Sequence, residues 1–558
     1  MKERNSMPAA SAYRRAPLVN PAYVPLSDAA LHPEGAMKNR IQQVLNMVDP
    51  RHMSTMDSVL ATKLGGYAQL PPMPDVEAAA ALLPADPSRF VEIVWSASML
   101  AAMSRDKEGM LQVLGAMRAF AQVLPQLSEE ALFACGADAL RLTADLYRRT
   151  GQPFLLNLME TMRGQLPDVS GLMHMFPFQR EYRREAQGNT PEEKAFYDRM
   201  ERFAMGKGAA DALAMTVFLG QYSGSGRDAA APLTGLNALN RYHGMPCGAF
   251  AADPYLAGRD PARAVELDAL CAQVEAYADA LCFTGENAFA ERLEMMWENA
   301  LPDLLTEEGL RTLEPTNRLA DDESCQLHAV PEKEDISALL RALYALRRSV
   351  WLSRDDSTLT YMLPVEGGCI TRLSGVPVRM TASVKGLSRK EITLRAELKQ
   401  PVQFTLELRA PRWADSATVS VNGGKPVQAQ PGEKFPLTRL FQSGDTIVLS
   451  LASSPRLETG YRGSLSVFCG GTLMALPLPG PEMEWRYALV SGENVTVSEE
   501  GGELNVLVTA CEAPLWKEKS GFILPPPQNC QMGPAYRLTL IPYAGCGGRI
   551  AAFPCVRA

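Results

Sequence analysis

Near Trp351 the spacing of apolar residues changes from every third or fourth position to every second, and that switch limits what this chain can fold into. Upstream, "PSRFVEIVWSASMLAAMSRD", "ALFACGADALRLTADLYRRTG" and "AFAERLEMMWENALPDLL" carry apolar residues at helical steps. Gly151 and Gly285 stand where helix C-termini need a left-handed residue, and Asp260–Pro261 reads as a helix start. About twelve helical segments with short connections suit a toroid of paired helices better than a bundle. Downstream, "PVQFTLELRA" alternates Val402, Phe404, Leu406 and Leu408 with polar residues, as a half-buried strand does. Asn422–Gly423–Gly424 between two strand-like runs predicts a hairpin, because these residues tolerate positive φ. The pattern continues to the C-terminus. It predicts two antiparallel β-sandwiches, residues 353–455 and 456–558, after a helical domain at 28–352 and an N-terminal extension at 1–27.

Charge and cysteine usage exclude several functions. The net charge of −8 and pI near 5.5 disfavour nucleic acid and anionic membrane, which both reward a basic surface. No apolar run is long enough to span a bilayer, and the first 26 residues lack the apolar core of a signal peptide. Eleven cysteines, odd in number and without paired spacing, read as reduced thiols, which places the chain in the cytoplasm. The stretch "DDESCQLH", Asp321 to His328, concentrates carboxylates, a thiol and an imidazole, the densest metal-ligand chemistry in the chain.

The run from Tyr242 to Pro302, "YHGMPCGAFAADPYLAGRDPARAVELDALCAQVEAYADALCFTGENAFAERLEMMWENALP", resembles glycoside hydrolase family 127, the β-L-arabinofuranosidase-like proteins. "LEP" at 313–315, "ELRAPRWADSATVSVNG" at 407–423, "GDTIVLSL" at 444–451, "EWRYAL" at 484–489 and "LIPYAG" at 540–545 extend the likeness over residues 20 to 555. The resemblance implies an (α/α)6 barrel, 28–352, followed by the two sandwiches. It also implies a chemistry in which a zinc-held cysteine thiolate attacks the anomeric carbon and a glutamic acid protonates the leaving oxygen. Zinc keeps a thiol ionised and fixes its direction.

Residue by residue, the family's Glu-x-Cys segment falls on Glu266–Leu267–Asp268, with aspartate in place of a thiolate. The paired cysteines fall on Ser324–Cys325 or Cys325–Gln326. Cys325 is then either the nucleophile or the surviving ligand beside Ser324. His328 is a candidate compensating ligand. Where the proton donor is expected stands Pro254, leaving Asp253 as the nearest acid. Lys207 replaces an expected histidine as a candidate for an anionic sugar, His243 is the candidate sugar contact, and Phe250 an apolar platform. Each has a plainer alternative: Asp268 as a helix cap, Asp253 as a turn former, Lys207 as a solvated charge, and His243 and Phe250 as core.

The reading is an exo-acting glycosidase that removes a terminal β-L-arabinofuranoside-like sugar from a small glycan. Aromatic residues at 7% favour a small sugar over a long polysaccharide. The alternative is a catalytically degenerate homologue that binds carbohydrate or regulates, since a fold does not guarantee activity. Homo-oligomerisation through the sandwiches is a further expectation.

Overall fold

The computed structural model describes residues 18–558 except 49, 67–68, 184–189, 307, 319–326, 329–330, 479–486, 492–494, 501–502, 513–516, 520–521, 525–533, 545 and 558. Six helices organise the first part: α1 (Thr55–Lys63), α2 (Pro87–Ser104), α3 (Glu129–Thr150), α4 (Gly206–Ser223), α5 (Leu267–Thr284) and α6 (Lys333–Val350). Each packs on the next, and α6 returns to α1, so the neighbour relations close a circuit. Outer helices back it: Gly35–Asn46 on α6, Lys107–Val123 on α2, Pro153–Gln165 on α3, Gly226–His243 on α4 and Asn287–Met295 on α5.

Local sequence explains the boundaries. Ser54 and Asp57 form a capping box before α1, Asp86 and Ser128 cap α2 and α3, and Gly151 and Gly285 end α3 and α5 at φ 66° and 73°. The inner helix α4 is buried on most sides because it touches two circuit neighbours and an outer helix. Its start requires glycine for close approach. A Cβ on Gly206 would lie 2.5 Å from Ala252 Cβ and 2.7 Å from Ala269 Cβ. The helix expected from Asp260–Pro261 does not form. Asp260 instead accepts from the Ala262 N–H in a turn, and Ala264–Glu266 is a strand paired with Leu313–Pro315.

After Trp351 come two facing sheets and then a third. The five-stranded sheet holds Val402–Arg409 between Thr358–Tyr361 and Lys434–Phe441, with Val402, Phe404, Leu406 and Leu408 buried as the alternation predicts. Phe404 stacks on Phe441 at 4.0 Å. In the seven-stranded sheet, Asn422 and Gly423 make the expected turn at φ 52° and 71° between Ser416–Val421 and Val427–Ala429. Two strands come from the N-terminal region. Val24–Pro25 pairs with Trp351–Asp355, and Leu31–Pro33 with Gly367–Leu373. Strands of two and three residues are too short to leave a period-two signal, so the sequence gives no sign of them. The last region forms a nine-stranded sheet among the described residues, seven strands on one hydrogen-bonded path from Arg456–Thr459 to Cys555–Arg557 and two beside it, with its own core around Val467, Met474, Val506, Leu540 and Phe553.

Candidate active site

The site is built where the N-terminal ends of α4, α5 and α6 meet the connection from His243 to Glu266. Ala252 is the hinge of this arrangement. Its N–H donates to Ala264 O at 2.9 Å, and its carbonyl accepts from Glu266 N at 3.0 Å. Gly206 N donates to Pro254 O at 2.9 Å, which docks the start of α4 on the same segment. Leu267 N donates to Thr312 O at 2.9 Å, tying the start of α5 to the chain that leads into Leu313–Pro315.

Glu266 is half-buried at the N-cap of α5, in extended backbone, and its carboxyl has no hydrogen-bond or ion-pair partner among the described residues. Burial, then the negative charges of Asp268 and Asp253, push it up to about 7. Asp268, in the first turn of α5, is exposed and accepts from the adjacent Ala269 N–H at 2.5 Å. Glu266 and Asp268 share this end of the ring because the helix begins between them, leaving Glu266 off the helical spiral. On α6, Asp335 is raised, chiefly by burial and in small part by Asp268, and it also feels His328. His328 exchanges backbone hydrogen bonds with Leu310 at 2.7 and 3.1 Å and leaves its side chain exposed. Cys325, with Ser324 and Gln326, lies outside the described residues.

Asp253 is fully engaged. Both its oxygens lie against the Arg263 guanidinium, and Oδ2 also accepts from Ala264 N at 2.9 Å. Arg263 holds Glu181 as well. The donors aimed at Asp253 are N–H groups, which suits an acceptor that organises the turn. Lys207, half-exposed on α4, pairs with Asp211 one turn on at 2.6 Å, and that carboxylate is the main cause of its raised pKa. His243 and Phe250 lie in the interior. Both imidazole nitrogens meet backbone: Nδ1 accepts from Gly258 N at 2.9 Å, and Nε2 donates to Phe178 O at 2.6 Å. A sugar contact would have to displace one of these. Phe250 is fully buried, and its peptide N–H and C=O are both taken by the Gln273 side-chain amide, at 2.8 and 3.2 Å.

Sequence reasoning missed the charges deeper in the ring. Arg341 on α6 meets both Asp138 oxygens at 2.7 and 2.8 Å and both Glu275 oxygens at 2.9 Å. Arg141 on α3 reaches Asp279 at 2.7 Å, and the Arg141 and Arg341 guanidiniums lie 5.4 and 5.0 Å from the Trp95 ring. These residues fall on inner helices four apart or nearly so, but nothing in one helix reveals its partner across the ring. Also missed was a buried cluster behind the strand of Glu314. Arg549 contacts Glu314 Oε1 at 2.8 Å and Asp303 Oδ2 at 2.9 Å, while Arg318 contacts Asp303 at 2.8 Å. Burial raises Glu314 well above the carboxylate range. Arg549, the Glu314 carboxyl and Arg318 hold Asp303 below it, against the cost of burial.

Residues 366–453, most of the first sandwich, match the family described as beta-L-arabinofuranosidase, GH127 middle domain. No curated protein matches the sequence. Among solved structures, a glycoside hydrolase is similar at 14% identity and TM-score 0.69, over 96% of this chain and 98% of that one. A GH127 β-L-arabinofuranosidase from Geobacillus stearothermophilus T6 is similar at 13% identity and TM-score 0.56, over 95% of this chain and 100% of that one. A GH127 β-arabinofuranosidase is similar at 12% and 0.55, over 97% and 100%. The chain thus shares the fold of these structures, a helical region followed by β-sheets. With its matching middle domain, the chain is GH127-like.

Proposed function

We propose that this chain is a glycoside hydrolase-like protein whose substrate is a carbohydrate, and that it removes a terminal β-L-arabinofuranoside-like sugar at the N-terminal ends of α4, α5 and α6. On this reading the six-helix circuit and its outer layer are an (α/α)6 barrel. The observation that carries it is the carboxyl of Glu266, half-buried and without a partner among the described residues, flanked by Asp253 and Asp268. The chain that flanks residues 319–326 is anchored nearby, since His328 pairs with Leu310 while Leu313 pairs with Glu266. Cys325 precedes His328 by three residues, a span of at most ~11 Å between Cα atoms.

In this mechanism Cys325 attacks the anomeric carbon as thiolate, and Glu266, protonated, gives its proton to the glycosidic oxygen. The C–O bond breaks and the leaving group departs as an alcohol. Water then attacks the thioglycoside carbon, Glu266 takes the water proton, and the thiolate and the sugar separate with the original anomeric configuration. Zinc held by Cys325, Asp268 and an ionised Glu266 is the alternative arrangement, in which Glu266 would be a ligand and not the acid, and it would keep the thiol ionised. Among the described residues no three His, Cys, Asp or Glu side chains come together as a metal requires, so those residues alone do not fit zinc and no step is routed through it.

Asp253, tied to Arg263 and Ala264, favours a second reading, a homologue that binds carbohydrate without cleaving it. Metal analysis and turnover of a panel of aryl furanosides separate the two. The glycosidase reading requires hydrolysis of a β-L-arabinofuranoside that is lost in Cys325→Ala and Glu266→Gln with unchanged circular dichroism. Saturable sugar binding without cleavage of any panel member supports the binding reading instead.

A further inference from the structure

A polar cavity of about 100 Å³ lies between the helices Gly226–His243 and Asn287–Met295 and the turn that joins Arg456–Thr459 to Leu465–Cys469 of the last sheet. Its walls include two arginines, Arg259 and Arg292, and neither guanidinium is ion-paired to a carboxylate among the described residues. The lining carboxylate, Glu458, is turned to Arg456 at 3.0 Å. Among the described residues Arg292 makes one weak side-chain polar contact, to the Met295 sulfur at 3.8 Å. Burial, and then the nearby positive charge of Arg292, hold the Arg259 guanidinium below its ordinary value.

The same walls hold buried polar atoms without partners among the described residues: Arg259 Nε, Asn240 Oδ1, Ser464 Oγ and Ser466 Oγ. Ser464 and Ser466 are each only 2% exposed. Buried groups of this kind are normally satisfied, and leaving several unsatisfied in one cavity costs stability unless something occupies it. Two guanidiniums and two hydroxyls in these walls supply donors, the set that recognises an oxyanion, while the Asn240 oxygen is an acceptor for a hydroxyl. We infer that this cavity is a binding site for a small hydroxylated oxyanion, a carboxylate or phosphate carried on a sugar-like body, held by Arg259 and Arg292 with Ser464, Ser466 and Asn240. Neither Glu266 nor Asp268 lines this cavity, and the inference stands independently of the reaction proposed there.

The test is calorimetric titration of the full chain with inorganic phosphate, with glucuronate and with neutral arabinose. Saturable binding of phosphate or glucuronate that weakens with added salt is expected, and which of the two binds more tightly identifies the anion. Arg259→Gln and Arg292→Gln should each weaken that binding about tenfold or more, the scale of a charge-assisted hydrogen bond. Ser466→Ala, a small change that keeps the fold, should weaken it less, and Glu266→Gln should leave it unaltered. The inference is overturned if neither anion binds saturably, if Ser466→Ala and both arginine variants bind as wild type, or if Glu266→Gln abolishes binding.

Discussion

The Gly258 N–H points at Nδ1 of His243 at 2.9 Å, and this fixes the imidazole as a neutral acceptor there and a donor to Phe178 O on its other side. Burial pushes the ring down to about 4, against the Phe178 hydrogen bond. The folded state therefore favours the unprotonated ring. The stability this contributes is fully present above the unfolded value of about 6.5 and is lost as pH falls toward about 4. Urea unfolding should show a drop of up to about 3 kcal/mol over that window, an order-of-magnitude figure. His243→Gln should flatten that part of the pH profile while lowering stability at pH 7.

Gly206 should not accept a side chain. Gly206→Ala places a methyl against Ala252 and Ala269 and should destabilise by about 1–3 kcal/mol, as overpacking does. Ala269→Gly in the same chain should restore part of the loss in thermal melts, because it removes one of the two opposing methyl groups.

Arg409 and Glu294, each 1% exposed, pair directly, and the Trp413 indole N–H donates to the other Glu294 oxygen at 2.9 Å. They lock the first sandwich to the outer helix Asn287–Met295. Glu294→Gln should cost about 3–5 kcal/mol, since it strands a buried guanidinium. The double replacement Glu294→Leu with Arg409→Met should recover much of that cost, a result read from the urea midpoints of the four proteins.

Glu314 and Asp303 are expected to respond unequally to amide substitution. Burial raises Glu314 well above its usual range, so Glu314→Gln should cost less stability than the matching change at Asp303. Asp303, ionised between Arg549 and Arg318, should cost about 3–5 kcal/mol as Asp303→Asn. Equal losses in the two variants would show that the proton is placed wrongly.

At the candidate active site, Glu266→Gln should lower turnover of an aryl β-L-arabinofuranoside by about 10²–10⁴-fold with an unchanged melting temperature. Asp253→Asn should lower the melting temperature, because it loosens Arg263 and with it Glu181. Stopped assays on both variants, set beside their melts, check the difference.

Much of this was readable residue by residue. The glycine caps at Gly151 and Gly285, the Asn422–Gly423 turn and the alternating face of Val402–Arg409 are local: short-range sterics and one-sided burial write them into neighbouring positions. The carboxylates Glu266 and Asp268 stood out only through the family resemblance. Three-dimensional packing decided the rest. Only the fold brings Asp138 to Arg341 across the ring, sets Arg263 on Asp253, buries His243 with both nitrogens occupied, and gathers Arg259, Arg292, Ser464 and Ser466 from distant segments around one cavity. Pairings between distant residues leave no periodic trace along a chain, because charge and hydrogen bonding act through space, whereas helix, strand and turn preferences act between neighbours.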